Sequence, residues 1–158
     1  MGLDMMLYVV HKDYVSAYTK NDNLKLEYPE DLLKHITYED KAVFQNTYYE
    51  VAYWRKANHI HNWFVQNCAN GVDECQPINV SINDLKTLLD ACEHVLEHHE
   101  DASTFLPTRS GFFFGSIDYD EFYFEDIKRT ISYIKPVINF MEEQKDYYKW
   151  HIEYQASW

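Results

Sequence analysis

An α+β fold is predicted, with three main helices and a small antiparallel sheet that includes the N- and C-terminal strands. Two patterns predict it: short apolar or alternating runs at both ends of the chain, and three interior segments whose apolar side chains recur at three- and four-residue steps. Leu3 to Val10 is a run of Met, Leu, Tyr and Val and reads as the first strand. Pro29, followed by Glu-Asp-Leu-Leu-Lys, suits the first turn of a short helix, where a missing N–H costs nothing. Over residues 48–69, Tyr53, Ala57, Ile60, Phe64 and Cys68 follow a helical spacing that ends at Asn70-Gly71, a stop signal. Ser81 with Asp84 three residues on opens the next helix, and Leu85, Leu88, Leu89, Cys92, Val95, Leu96 and His99 form its inward stripe. Its other side carries Asp90, Glu93, His94, Glu97 and Asp101. Pro107, Gly111 and Gly115 punctuate residues 102–117, which read as a loop and a short strand. Asp118 and Glu121 have the spacing of a capping box, and Phe124, Ile127, Ile131, Ile134, Ile138 and Met141 then continue a third long helix. Pro136 should kink that helix, because it removes one backbone hydrogen bond. Lys145 to Trp158 alternates with period two through Tyr148, Trp150, Ile152 and Tyr154, and reads as the last strand.

No internal repeat, low-complexity tract or flexible linker divides the 158 residues, so residues 1–158 are expected to form a single globular domain. An aromatic content of 17% excludes disorder of the whole. No apolar run reaches the roughly 20 residues that cross a bilayer, and the start lacks a basic signal-peptide region, so a cytoplasmic protein away from membranes is expected. Cys68, Cys75 and Cys92 cannot all pair and show no metal-binding spacing; they are read as reduced thiols.

Charge narrows the partners. The net charge is −12, which repels nucleic acid and anionic membranes. The window from Asp84 to Asp126 holds 11 acids against Lys86 and Arg109 alone. A field this concentrated steers basic partners, and carboxylates one helical turn apart stand about 5 Å from one another. Asp90, Glu93, Glu97, Asp101, Asp118, Asp120 and Glu121 are therefore the candidate partner-binding residues.

Catalytic motifs are weaker. His94-Val-Leu-Glu-His98 matches a zinc-peptidase pattern, yet its polar residues face away from the leucine stripe, with no third ligand in sight. Asp118-x-Asp120 starts like a calcium loop, but Tyr123 stands where glycine is needed and Arg129 where a bidentate glutamate is needed. Gly111-Phe-Phe-Phe-Gly115 lacks the context of a phosphate-binding loop, and there is no G-x-S-x-G. His59 and His61 stand two apart and cannot share a helix face. Arg55, Lys56, Asn58 and His61 form a polar set that could bind an anion, but are better explained as anchors for neighbouring loops and acids. No cofactor and no resident metal are called for.

The opening Met1-Gly-Leu-Asp-Met-Met-Leu7, the run Trp54 to Phe64, the stretch Leu106-Pro-Thr-Arg-Ser-Gly-Phe-Phe-Phe-Gly115 with Tyr119-Asp-Glu121, and the ending Ala156-Ser-Trp158 together resemble a family of small acidic proteins encoded by bacteriophages and prophages. Met6 stands where members tend to carry tyrosine. The resemblance implies no chemistry. Small acidic phage proteins of this kind resemble inhibitors of bacterial defence, including anti-CRISPR proteins that occupy basic surfaces of an RNA-guided nuclease.

The expected function is thus a non-enzymatic phage inhibitor of host defence, an anti-CRISPR protein acting in the bacterial cytoplasm on a basic host protein, a type II RNA-guided nuclease. Such an enzyme holds its heteroduplex in a positive channel and must move a nuclease domain before cutting. Acidic mimicry of nucleic acid would block the first feature; a steric plug anchored by tyrosines and tryptophans would block the second. Two alternatives differ in class. One is a small metal-assisted hydrolase or nucleotide-binding enzyme using Asp118, Asp120 and Glu121 with His61 and Arg55 brought near. The other is a phage accessory protein whose partner is also phage-encoded.

Overall fold

Both ends of the chain meet in one sheet. The computed structural model describes residues 2–16 and 42–158; the helix expected after Pro29 lies outside the described residues. Strand β1 (Asp4–Ser16) is flanked by β2 (Ala42–Arg55) and β4 (Trp150–Ser157), and β3 (Ile78–Val80) adds to the far side of β4. The order is β2-β1-β4-β3, with all pairings antiparallel. Asp4 stands opposite Ser157, as expected for terminal strands that join.

Strand alternation sorts the side chains. Met5, Leu7 and Val9 of β1, with Ile152, Tyr154 and Ala156 of β4, are buried toward the helices. In β2 the inward residues are Ala52 and Trp54. A bulge opposite the Leu7–Tyr8 step gives β2 one extra residue, Val51, and resets the alternation.

Residues 48–55 correct one expectation: they are strand, and the helix α1 (Asn58–Cys68) begins only afterwards. The spacing from Tyr53 to Cys68 fits a helix by coincidence. Tyr48, Tyr49, Val51, Tyr53 and Trp54 are β-favouring residues, and β1 offers them a full ladder. Lys56, at φ 61°, breaks the backbone between strand and helix. The stop at Asn70-Gly71 is as expected, with both residues at positive φ.

Helix α2 (Ile82–Glu97) follows its sequence pattern. Ser81 Oγ accepts from Asp84 N at 3.0 Å, and Asp84 Oδ2 accepts from Ser81 N at 2.8 Å, a complete capping box. Ser81→Ala should cost about 1 kcal/mol, read as a lowered urea midpoint with unchanged slope. Leu85, Leu88, Cys92 and Val95 are buried.

A 3-10 turn (His99–Asp101) leads into the short helix α3 (Ala102–Phe105), where a loop and strand were expected. Tyr123 holds this turn: its hydroxyl donates to Leu106 O at 2.8 Å. Helix α4 (Glu121–Glu143) runs on through Pro136. Its N-cap is Asp120, accepting from Tyr123 N at 3.1 Å, and not Asp118, which instead accepts from Ser116 Oγ at 3.0 Å. Two acids two residues apart compete for the cap, and the loop anchored at Ser116 leaves Asp120 in place.

Helices α2 and α4 pack antiparallel, stitched by Lys86–Glu142 and by Lys135–Glu93 at 2.6 Å, with His99 stacked on Phe124 at 4.0 Å. No helix among the described residues is long and apolar enough to cross a membrane.

Candidate functional site

Reassigning residues 48–55 to a strand changes which side chains reach the surface. On the sheet face turned away from the core, β1 presents Asp4, Met6 and Tyr8, β2 presents Tyr48, Glu50 and Tyr53, and β4 presents Glu153 and Gln155. None of them belongs to the hydrophobic core. Tyr48 is 53% exposed and Tyr53 41%. Tyr8 and Tyr48 meet edge to face at 5.9 Å, and with Pro77, Glu153 and Gln155 they border a hollow of about 290 Å³. The Tyr53 hydroxyl donates to Asp4 Oδ1. Burial together with the Glu50 charge raises the Tyr8 phenol above its usual range. The face is rich in tyrosine and bordered by carboxylates. Sequence reasoning missed it because a helical reading of residues 48–55 scatters these tyrosines around an axis.

The seven carboxylates expected to bind a partner are only partly free. Asp90, Glu97 and Glu121 are exposed and make no ion pair among the described residues. Glu93 is paired with Lys135, and Asp101 Oδ2 lies 2.7 Å from His94 Nε2. Asp118 accepts from the Ser116 hydroxyl and Asp120 from the Tyr123 backbone N–H. The negative row of the sequence is thus interrupted, at Glu93 by Lys135 and at Asp101 by a hydrogen bond with His94.

Asn58 and His61 are anchors. Asn58 Nδ2 donates to Phe114 O and Ser116 O, and its Oδ1 accepts from Arg109 N at 2.9 Å, which saturates the amide on the loop before α4. His61 Nδ1 lies 2.7 Å from Tyr154 Oη, its Nε2 lies 3.1 Å from Asp73 Oδ2, and Arg109 closes on the same carboxylate at 3.1 Å. Burial lowers the His61 pKa, against an upward pull from Asp73. A neutral ring then accepts from Tyr154 and donates to Asp73. His61 is therefore turned away from Asp118, Asp120 and Glu121, which corrects the grouping expected for a hydrolase.

The residue that does join Arg55, Asp118 and Asp120 is His59. Together with Lys56, Asp126 and Arg129 they line a cavity of about 340 Å³. His59 is 3% exposed, stacks on Tyr123 at 4.2 Å, and its Nε2 has no hydrogen-bond partner. Burial pushes its pKa down to about 3. Asp126 is pushed up to about 6, mainly by burial, against the pull of Arg129. Among the described residues no three His, Cys, Asp or Glu side chains are placed to hold a metal ion. Burial pushes the Cys68 thiol up to about 12 and raises that of Cys92, so neither is primed as a nucleophile.

The start of the chain, the β2–α1 junction, the Gly-Phe-Phe-Phe turn and the end of β4 come together in space. Leu3 N donates to Phe113 O, Lys56 N donates to Leu3 O, and Phe114 lies between the rings of His61 and Trp158 at 5.3 and 5.9 Å. At Gly111 an added Cβ would stand 2.7 Å from the Phe114 ring, so the Gly-Phe-Phe-Phe turn needs that glycine to bury Phe114. Phe112, at the tip, is 96% exposed. These motifs chiefly build the scaffold beside the sheet. No family model matches the chain, and no curated protein or solved structure matches it either.

Proposed function

We propose that the protein is a non-enzymatic, phage-encoded inhibitor of host defence, an anti-CRISPR protein that binds a type II RNA-guided nuclease and blocks DNA cleavage sterically. The observation that carries this reading is the outer sheet face, where Tyr8, Tyr48 and Tyr53 stand among Asp4, Glu50 and Glu153. Tyrosine gives large contact area at small entropic cost and is enriched where protein interfaces concentrate their energy. The exposed Glu50 and the net charge of −12 favour a basic partner, while Asp4 is shared by Tyr53 and Arg55 and Glu153 bonds to His151. The resemblance to phage proteins supplies the class of partner. Of the two routes, the steric one has the better support, because the Lys135 ion pair at Glu93 and the His94 hydrogen bond at Asp101 weaken a continuous mimic of nucleic acid.

A pull-down and cleavage assay against a panel of type II nucleases tests the proposal. One nuclease at least should be captured and inhibited, and absence of both across the panel refutes it. Tyr48→Ala combined with Tyr53→Ala should weaken binding by about thirtyfold, the equivalent of about 2 kcal/mol. Exchange of Asp90, Glu93, Glu97 and Asp101 for lysine should change affinity little. A sharp, salt-sensitive loss in that variant would instead favour mimicry.

A further inference from the structure

A further cavity lies on the opposite side of the sheet from the tyrosine face. Helix α4 does not close fully over β2 and the start of β4, leaving a cavity of about 570 Å³, within the range of about 300–1,000 Å³ usual for small-molecule sites. Its walls are the rings of Tyr49, Tyr133, Phe140 and Trp150, with Val137 at its side. Phe140 meets Trp150 edge to face at 5.0 Å, and Tyr49 lies 6.3 Å from the same indole. Tyr49 is 50% exposed and Phe140 39%, so the site opens to solvent.

Two features specify the ligand. First, among the described residues no charged side chain lines the cavity, on a protein with a net charge of −12. An anionic lipid or carboxylate would enter against the field with no cation to receive it. A neutral ligand is favoured, and four rings at the walls favour a flat aromatic one, which can stack edge-on or offset. Second, Pro136 and Ser132 both line the cavity, four residues apart on α4. Pro136 has no N–H to give, so the Ser132 carbonyl loses its usual donor four residues on. The Ser132 hydroxyl is already spent, donating to Arg129 O at 2.7 Å. A backbone acceptor without its usual donor thus sits on a residue that lines the cavity, beside the Tyr49 and Tyr133 hydroxyls.

We propose that this cavity is a binding site for a neutral, planar aromatic molecule carrying one hydrogen-bond donor, which the Ser132 carbonyl accepts. The site is distinct from the tyrosine face and does not depend on the inhibitory role.

Fluorescence titration of the full chain with N-phenylnaphthylamine, a neutral aromatic amine that brightens in apolar surroundings, tests it. Saturable binding of one molecule per chain is expected. The N-methyl analogue, which lacks the donor, should bind about fivefold more weakly. Dodecanoate, an anionic aliphatic competitor, should not displace the probe. In Pro136→Ala the new N–H takes the Ser132 carbonyl, so the fivefold preference should vanish while the fold is kept. Val137→Trp fills the cavity and should weaken binding at least about tenfold; should that variant not fold, Pro136→Ala decides. Absence of saturable binding, displacement by dodecanoate at equal concentration, or an unchanged preference in Pro136→Ala would each overturn the assignment.

Discussion

Trp54→Ala should destabilise the protein by about 4 kcal/mol, among the largest losses a single side chain can cause. Trp54 is fully buried, its indole N–H donates to Thr130 Oγ1 at 2.9 Å, and its ring meets Tyr133 edge to face at 5.5 Å. Truncation leaves a cavity at the junction of β2 and α4 and takes a donor from the buried Thr130 hydroxyl. Since whole-protein stability is commonly about 5–15 kcal/mol, a large part of the total would go. The matching variant Tyr53→Ala should cost less than about 1 kcal/mol, because Tyr53 points outward. Urea unfolding of the pair separates two arrangements of this segment. A helix with Tyr53, Ala57, Ile60, Phe64 and Cys68 inward would make Tyr53 the costly position; the strand makes it Trp54. Equal losses, or the reverse order, would refute the strand.

His59→Phe should stabilise the protein, by about 1 kcal/mol at neutral pH, by removing an unpaired buried nitrogen while keeping the ring against Tyr123. The gain should grow in acid. In the unfolded chain His59 titrates near 6.5, whereas burial holds it down to about 3 in the folded protein. The unfolded state therefore takes up the proton first, and stability is lost as pH falls below the unfolded value. Between pH 7 and 5 this loss is about 2 kcal/mol, so the advantage of the variant should reach about 3 kcal/mol at the lower pH. His61 adds in the same direction. Asp126 works against both, because its raised pKa lets the folded state bind a proton before the unfolded one as pH falls through about 6. Wild-type stability is thus a partial cancellation, and the difference between wild type and variant isolates His59. Equal gains at both pH values would mean that the imidazole is not desolvated.

How much of this was legible in the sequence depends on how local the deciding contact is. Helix α2 was legible in its cap, made by Ser81 and Asp84 three residues apart, and in its stripe from Leu85 to Leu96, whereas His99 and Asp101, expected on the same helix, fall in the 3-10 turn after it. The terminal strands were legible from alternation, although Tyr148 falls in the 3-10 turn before β4 and is 71% exposed. The start of α1 was not, because residues 48–55 satisfy a helical spacing and only pairing with β1 selects the strand. The cap of α4 fell to Asp120 and not Asp118, a choice made by Ser116. The candidate site suffered most. Its tyrosines come from β1 and β2, forty residues or more apart, and Lys135 reaches Glu93 from another helix. His61 finds Tyr154 from 93 residues away, so no local pattern could distinguish it from His59, whose ring enters the polar cavity.

The position of β4 also governs how the chain must be assembled. Among the described residues β1 is the first strand in sequence, yet one of its two neighbours is the last, and β3 pairs with that same strand alone. During synthesis, β1 and β2 can form only a hairpin-like pair with one edge bare, and the helices emerge before the layer they cover is complete. Pairing that spans almost the entire chain carries a high loop-closure cost and makes folding slow relative to helical proteins of this size. Pairing of β4 between β1 and β3 thus completes the sheet, and before it forms the bare edge of β1 is where misassociation would begin.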